Sequence, residues 1–287
     1  MNRHKRLFGR FREPVIPFGL ADFPAQVIKT EARMSLSGVQ MKLSVRVHPE
    51  TWILETVAVG GTHILKPEPS QFPELPQNEN LCMNIAEAVG MAVPPHGLLT
   101  MADGTWCYLV KRFDRLDDGT KLQKETLFQI LGAEDKYQGS LEQVGKIIRL
   151  HATHMGLETL AFFERVVVCF LIGNGDMHLK NWALLTNLGG TIALAPCYDF
   201  VCSNLYLPGE GDSALSLNGK KHKLSRTDFD ALAVSLHLDA KAARHVFRKL
   251  AEAKARVLDL CRSSELSAPL RKKLMEVIES RYRRLYT

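Results

Sequence analysis

The longest apolar run in the chain, Leu157 to Gly173 (LETLAFFERVVVCFLIG), constrains most of what can be built around it. Glu158, Glu164 and Arg165 interrupt it, and a bilayer span needs about 20 apolar residues. The run therefore reads as a helix buried in a protein core, and no transmembrane segment is expected. Apolar residues at helical spacing recur near Glu125 to Leu131, Leu141 to His154, Arg226 to Leu236, Ala240 to Cys261 and Ser267 to Tyr286, which together predict an α-rich lobe. At 287 residues the chain is long enough for one large domain or two lobes, and it can remove roughly 75% of its unfolded surface from water. It needs no covalent staple. Cys82, Cys107, Cys169, Cys197, Cys202 and Cys261 form no Cys-x-x-Cys pair or zinc-finger spacing, so they read as small hydrophobes in a reducing cytoplasm.

The first half carries strand and turn signals instead. Lys42 to Val47, Trp52 to Ala58 and Thr62 to Lys66 are short β-rich runs, the last entered from Gly60-Gly61. His96 to Met101 and Thr105 to Arg112 flank Asp103-Gly104, whose residue types accept the positive φ of a tight hairpin. After Pro73 and Pro76, Asn78 is expected to cap a helix from Glu79 to about Val89, stopped by Gly90. Within the helical half, Trp182 to Leu185 and Thr191 to Ala195 flank Asn187-Leu188-Gly189-Gly190 and predict an inserted hairpin. The expected fold class is α+β, with a small antiparallel sheet followed by a mainly helical lobe.

The densest cluster of reactive residue types, Gly173-Asn174-Gly175-Asp176-Met177-His178-Leu179-Lys180-Asn181, lies between the buried helix and that hairpin, and Cys197-Tyr198-Asp199-Phe200 follows it. An Asp, an Asn five residues later, a hairpin and a second Asp is an arrangement suited to phosphoryl transfer. The first carboxylate takes or orients the acceptor's hydroxyl proton, while the Asn oxygen and second carboxylate are hard ligands for Mg²⁺. Lys66, at a strand end, is placed to reach nucleotide phosphates, and Glu79, thirteen residues on, to hold its ammonium. Between Ala32 and Ser44 a single glycine, Gly38, excludes both a Walker A loop and a G-x-G-x-x-G loop. The backbone around Ser37, Gly38, Val39 and Gln40, with Lys42, is nevertheless where a phosphate-covering loop belongs, just before the first strand.

SLSGVQMKLS (Ser35 to Ser44), HILKPEP (His63 to Pro69), NEN (Asn78 to Asn80), VKRFDR (Val110 to Arg115), LIGNGDMHLKN (Leu171 to Asn181) and APCYDF (Ala195 to Phe200) occur in one order. In that order they resemble the HipA-type serine/threonine kinase toxins of bacterial toxin–antitoxin systems. The resemblance implies a two-lobed, protein-kinase-like fold with residues 35–113 as N-lobe, 114–287 as C-lobe and 1–34 as a basic extension. It implies ATP and Mg²⁺ as cofactors, Asp176 as catalytic base, Asn181 and Asp199 as metal ligands, and Lys66 on the phosphates. Lys111, Arg112 and Phe113 would form the hinge beside adenine, with His178, Lys180 and Tyr198 near the nucleotide. Lys111 stands where the best-known relative carries an acid, a change without consequence for a hinge that acts through its backbone.

Full-length members carry a further N-terminal subdomain, whereas 34 residues precede the loop here. The chain in this respect is similar to the compact HipT branch, whose missing part is a separate small HipS-like protein. That branch also has a Ser-x-Ser pair matched by Ser35-Leu36-Ser37, implying autophosphorylation at Ser35 or Ser37. Implied partners are a DNA-binding antitoxin of the HipB type and, as substrate, an aminoacyl-tRNA synthetase, the tryptophanyl enzyme first among them.

A net charge of +6, with Arg3, Lys5, Arg6, Arg10 and Arg12 at one end and Arg271, Lys272, Lys273, Arg281, Arg283 and Arg284 at the other, is compatible with solvated faces or an acidic partner. His151 and His154 lack the third ligand a zinc site needs. Two rival readings share the motifs: a small-molecule phosphotransferase of the aminoglycoside type, and a non-catalytic kinase fold serving as scaffold in a DNA-bound complex.

Overall fold

The computed structural model describes residues 3–29 and 41–286. The chain divides into two compact units, residues 1–81 with 94–121, and residues 82–93 with 122–287.

The first unit is built on a five-stranded antiparallel sheet of β1 (Leu43–Val47), β2 (Leu54–Thr56), β3 (His63–Pro67), β4 (His96–Thr100) and β5 (Trp106–Lys111), in the order β2-β1-β3-β5-β4. Gly104 takes φ +84° in the β4–β5 turn, the role its Asp-Gly pair forecasts. Strand alternation sorts the side chains by face. Leu43, Val45, Leu65, Cys107 and Leu109 form one buried cluster with Leu7, Ile16, Phe18, Phe23 and Val27. Ile64 and Lys66, at the intervening positions of β3, belong to the opposite face.

Residues 3–29 are therefore part of this unit, whereas the sequence sets 1–34 apart as an extension. Helices α1 (Arg3–Phe8) and α2 (Phe23–Lys29) supply the apolar cover that one sheet face requires. Val15 bridges to Ile53, its N–H donating to the Trp52 carbonyl at 3.0 Å.

Helix α3 spans Leu75–Ala88, starting three residues before the expected cap. Pro76 is tolerated in a first turn because the N–H it lacks would have no intrahelical partner. Asn78 is consequently an interior residue, its N–H donating to the Glu74 carbonyl at 3.0 Å, and Glu79 lies in the second turn rather than the first.

The second unit packs α5 (Leu141–His151), α7 (Arg226–Ser235), α8 (Ala240–Glu252) and α10 (Ala268–Tyr286) around α6 (Met155–Leu171), with α9 (Lys254–Arg262) against α8 and α10. From Phe162 to Leu171 every residue of α6 except Glu164 is buried, as its composition demands. The segment expected to be one helix over Ala240 to Cys261 breaks at Ala253. The segment expected to be helical from Glu125 begins as β6 (Gln123–Thr126), which adds to the hairpin of β7 (Ala183–Thr186) and β8 (Ile192–Leu194). Thr126 explains the switch. Its hydroxyl and the Gln129 side chain form a capping box, so the short helix α4 (Leu127–Ile130) starts only after it.

Two of the C-terminal arginines have internal work. Arg281 and Arg284 both pair with Asp212, and Arg281 Nη2 also donates to Asn204 Oδ1 at 2.7 Å. No helix among the described residues is long and apolar enough to cross a membrane.

Candidate active site

In the first unit, Lys66 Nζ donates to Glu79 Oε1 at 2.7 Å, and both side chains are buried. Register pairs Lys66 with Tyr108 across β3 and β5, and the ammonium lies 5.8 Å from that ring's centroid. Sequence proximity to a helix thus becomes a buried ion pair on the sheet face opposite the N-terminal core. In the segment expected as the hinge, the Lys111 N–H donates to the Pro95 carbonyl and the Arg112 N–H to the Thr62 carbonyl, each at 2.8 Å. Arg112 also grips Asp114 with Nε and Nη2 at 2.9 and 2.7 Å. The N–H groups of both residues are therefore spent inside the fold. Lys42 is exposed just ahead of β1, and Ser35, Ser37, Gly38, Val39 and Gln40 lie outside the described residues.

In the second unit, α6 ends at Leu171 and the chain turns through Gly173, whose φ of +71° suits a residue without Cβ. Gly175 is required for a different reason: an added Cβ would lie 2.6 Å from both Glu210 Oε2 and the Gly211 carbonyl oxygen. The Gly175 N–H donates to Ser203 Oγ at 2.8 Å, and the Asp176 N–H to Asn174 Oδ1 at 3.2 Å. Asn181 Nδ2 reaches back to the Asp176 carbonyl at 3.0 Å, and the Asn181 N–H donates to the His178 carbonyl at 2.9 Å. Trp182, fully buried, holds the end of the loop through Nε1–H to the Met177 carbonyl at 3.2 Å. The five-residue Asp-to-Asn spacing thus closes one compact 3₁₀-type turn, Leu179–Asn181.

Asp199 is brought to this turn by its neighbour. Tyr198 OH donates to the Lys180 carbonyl at 2.9 Å, which sets the residue before Asp199 against the residue before Asn181. Asp199 itself adopts φ +55°, a left-handed conformation that Asp tolerates better than most side chains. Arg165, buried in α6, steadies the approaching segment by donating from Nη2 to the Ala195 carbonyl at 2.7 Å. Lys180 turns to the Phe128 ring, 4.4 Å from its centroid.

The donor set fits a hard divalent cation. Because Nδ2 of Asn181 is committed to a backbone carbonyl, its Oδ1 is the atom left for a ligand, and no donor among the described residues reaches it. A carboxylate and an amide oxygen are few for a protein-only cage but suit Mg²⁺, which completes its octahedron with water and substrate phosphates.

Two residues that no motif marks, Tyr137 and Glu210, lie near the carboxylate of Asp176 together with His178 of the motif itself. Tyr137, from the α4–α5 loop, donates its hydroxyl to Asp176 Oδ1 at 3.2 Å and meets His178 edge-on, with 5.3 Å between ring centroids. Burial, and secondly the charge on Asp176, push this phenol up to about 12, so it remains a donor. Glu210 is pushed upward by burial, with the charge of Asp176 adding to the effect and a hydrogen bond to Ser203 opposing it. Burial lowers His178 despite the opposing charge of Asp176, which keeps the imidazole neutral near pH 7. Tyr137 lies 39 residues before Asp176 and Glu210 in a Gly-rich loop after it; neither carried a pattern that could be read from sequence.

The family model of the HipA-like C-terminal domain matches residues 34–258. A Haemophilus influenzae protein named "Putative kinase" is 31% identical over 206 residues, 67% of this chain and 60% of its own length. "Putative kinase Y4dM" of Sinorhizobium fredii is 33% identical over 227 residues, 73% of this chain and 54% of its own. The chain thus spans little more than half the length of these curated relatives. Among solved structures, a chain of the Shewanella oneidensis MR-1 toxin–antitoxin complex of HipA, HipB and operator DNA superposes with a TM-score of 0.74 at 18% identity, over 94% of this chain and 71% of that one. The Helicobacter pylori proinflammatory kinase CtkA gives 0.59 at 15% identity, over 77% and 86%. These likenesses establish a kinase-like fold, and the match over most of its length makes the chain a member of the HipA-like C-terminal domain family.

Proposed function

We propose that the protein is a serine/threonine protein kinase acting as a growth-inhibiting toxin, transferring the γ-phosphate of ATP to a seryl hydroxyl. The observation that carries this reading is the Asp176–Asn181 turn. It presents a carboxylate that already accepts a hydroxyl hydrogen bond beside an amide oxygen left over for a cation.

In the reaction, Asp176 accepts the proton of the acceptor hydroxyl as the O–P bond forms, and the bond from the γ-phosphorus to the bridging oxygen breaks with its electron pair leaving on ADP. Asn181 and Asp199 would hold Mg²⁺, which when bound neutralises charge on the phosphates. Lys66, oriented by Glu79, supplies the protein's own cation to them. His178, neutral, adds no charge of its own, and Tyr198 fixes the approach of Asp199. At the hinge, with the Lys111 and Arg112 N–H groups engaged, the adenine contacts fall to the carbonyls of 111–113 and to Phe113.

The acceptor is proposed to be an aminoacyl-tRNA synthetase, the tryptophanyl enzyme first, and the partners a HipB-type antitoxin and a HipS-like protein. The HipA–HipB–DNA complex among the structural relatives supports an antitoxin of that kind. Six free, buried cysteines suit a reducing cytoplasm. Autophosphorylation at Ser35 or Ser37 would place about −1.5 to −2 charges where the triphosphate is held, a brake on ATP binding.

Purified protein incubated with labelled ATP, Mg²⁺ and a bacterial lysate tests the reading. Label on a protein of synthetase size, lost with Asp176→Gln, supports it. Turnover of only a small alcohol or aminoglycoside would overturn it, and binding of DNA complexes without any turnover would favour the scaffold.

A further inference from the structure

We propose that Tyr137 is a displaceable stand-in for the acceptor: its hydroxyl occupies the hydrogen-bonding position of the incoming seryl hydroxyl on Asp176 and keeps water off the base until a protein substrate arrives. This rests on the kinase reading above and concerns the regulation of that same site.

The first support is chemical equivalence. A kinase base must accept a hydrogen bond from an alcohol, and the hydroxyl it meets here at 3.2 Å belongs to a side chain of the same protein. The ring lies edge-on to His178 and carries the hydroxyl to the carboxylate. Its effect is therefore occupancy.

The second support is that the side chain can leave without disturbing the loop. Tyr137 is 42% exposed, so rotating it away creates no cavity. Its backbone is pinned on three sides: the Leu179 N–H donates to the Lys136 carbonyl at 3.0 Å, Lys221 Nζ to the Tyr137 carbonyl at 3.1 Å, and the Tyr137 N–H to Asp135 Oδ1 at 3.0 Å. Displacement is then a change of side-chain rotamer, fast beside turnover. One of these pins comes from Leu179, inside the catalytic turn, so the loop that carries the stand-in is registered on the loop that carries the base.

A kinase with an open base wastes ATP. Water can give its proton to Asp176 and its oxygen to the γ-phosphorus, ADP leaving as in the productive reaction. A bulky hydroxyl-bearing side chain at the base suppresses this while competing only weakly with a serine delivered by a large protein surface.

The test is ATP hydrolysis by the full chain with Mg²⁺ and no protein acceptor, measured for wild type, Tyr137→Phe, Tyr137→Ala and Tyr137→Phe with Asp176→Asn. The proposal expects Tyr137→Phe to hydrolyse ATP about tenfold faster than wild type at unchanged KM for ATP, the gain vanishing in the double variant, with thermal melts showing all variants folded. Equal rates for wild type and Tyr137→Phe would overturn it. So would acceleration in Tyr137→Ala alone, which would assign water exclusion to the ring, or slower turnover in Tyr137→Phe, which would make Tyr137 a positioning residue. Lysate labelling by wild type, run in parallel, separates the two readings. Labelling without a Tyr137→Phe effect sinks the stand-in alone, whereas no labelling and no Asp176-dependent turnover sinks the kinase and the stand-in together.

Discussion

Lys66 and Glu79 meet at 2.7 Å as a buried ion pair, joining the third strand of the sheet to the second turn of the helix that follows. Removing one partner of such a pair leaves a charge in a place water does not reach, at a cost of about 3–5 kcal/mol. Lys66→Met should therefore destabilise the protein by that order in urea titrations, and Lys66→Met with Glu79→Leu should recover most of it. Both variants should lose phosphotransfer, because the recovered stability does not restore a cation for the phosphates.

Gly175 has no room for a methyl group, since its neighbours include the backbone oxygen of Gly211. Gly175→Ala should cost about 1–3 kcal/mol and reduce phosphotransfer by moving Asp176. Gly189→Ala, where the added atom meets only Asn187 Oδ1 at 3.4 Å, is the control that should leave both unchanged. Melting temperature and initial rate, measured on the same preparations, check the pair.

The N-terminal residues fold with the sheet, so a core substitution there should be felt throughout that unit. Phe23, fully buried, is the sharpest probe. Phe23→Ala should cost about 3–5 kcal/mol, read by chemical denaturation, whereas a detachable extension would leave the midpoint where it was.

His63 makes folding acid-sensitive. Its Nε2 contacts the Leu7 carbonyl at 3.0 Å and Nδ1 the Thr62 hydroxyl at 2.8 Å, an arrangement suited to the neutral ring protonated on Nε2. Burial, with Lys111 nearby adding to it against the Leu7 hydrogen bond, lowers the group to about 4. The folded value is below the unfolded one, so this group's stabilisation is present above pH 6.5 and is lost as pH falls toward 4, about 3 kcal/mol in all. Unfolding free energies measured across that window should fall with acid in wild type and fall less in His63→Gln.

What was legible in the sequence follows from range. The five sheet strands, the β7–β8 hairpin and helix α6 are encoded by short-range alternation, turn glycines and apolar density, and each is found where the residues place it. The Asp176–Asn181 turn was legible for the same reason, being closed by hydrogen bonds five residues apart or fewer. The start of α3 was hidden because Pro76 signals a boundary and a first helical turn equally well, and β6 because its pairing is decided by β7, some 60 residues away. Tyr137 and Glu210 were invisible because their part in the site comes from folding loops onto Asp176, and neither loop repeats a chemical pattern.

Asp176 is proposed as the base of a phosphotransfer that ATP and Mg²⁺ support. Its most direct measurement is the single-turnover rate of label transfer from ATP to protein, with ATP affinity measured separately, in wild type and Asp176→Asn. The Asp176→Asn rate should be lower by about 10²–10⁴-fold, the usual contribution of a positioned general base, with ATP affinity within a few-fold of wild type. A rate left unchanged by the substitution, in protein that still binds ATP and melts as wild type does, would contradict it.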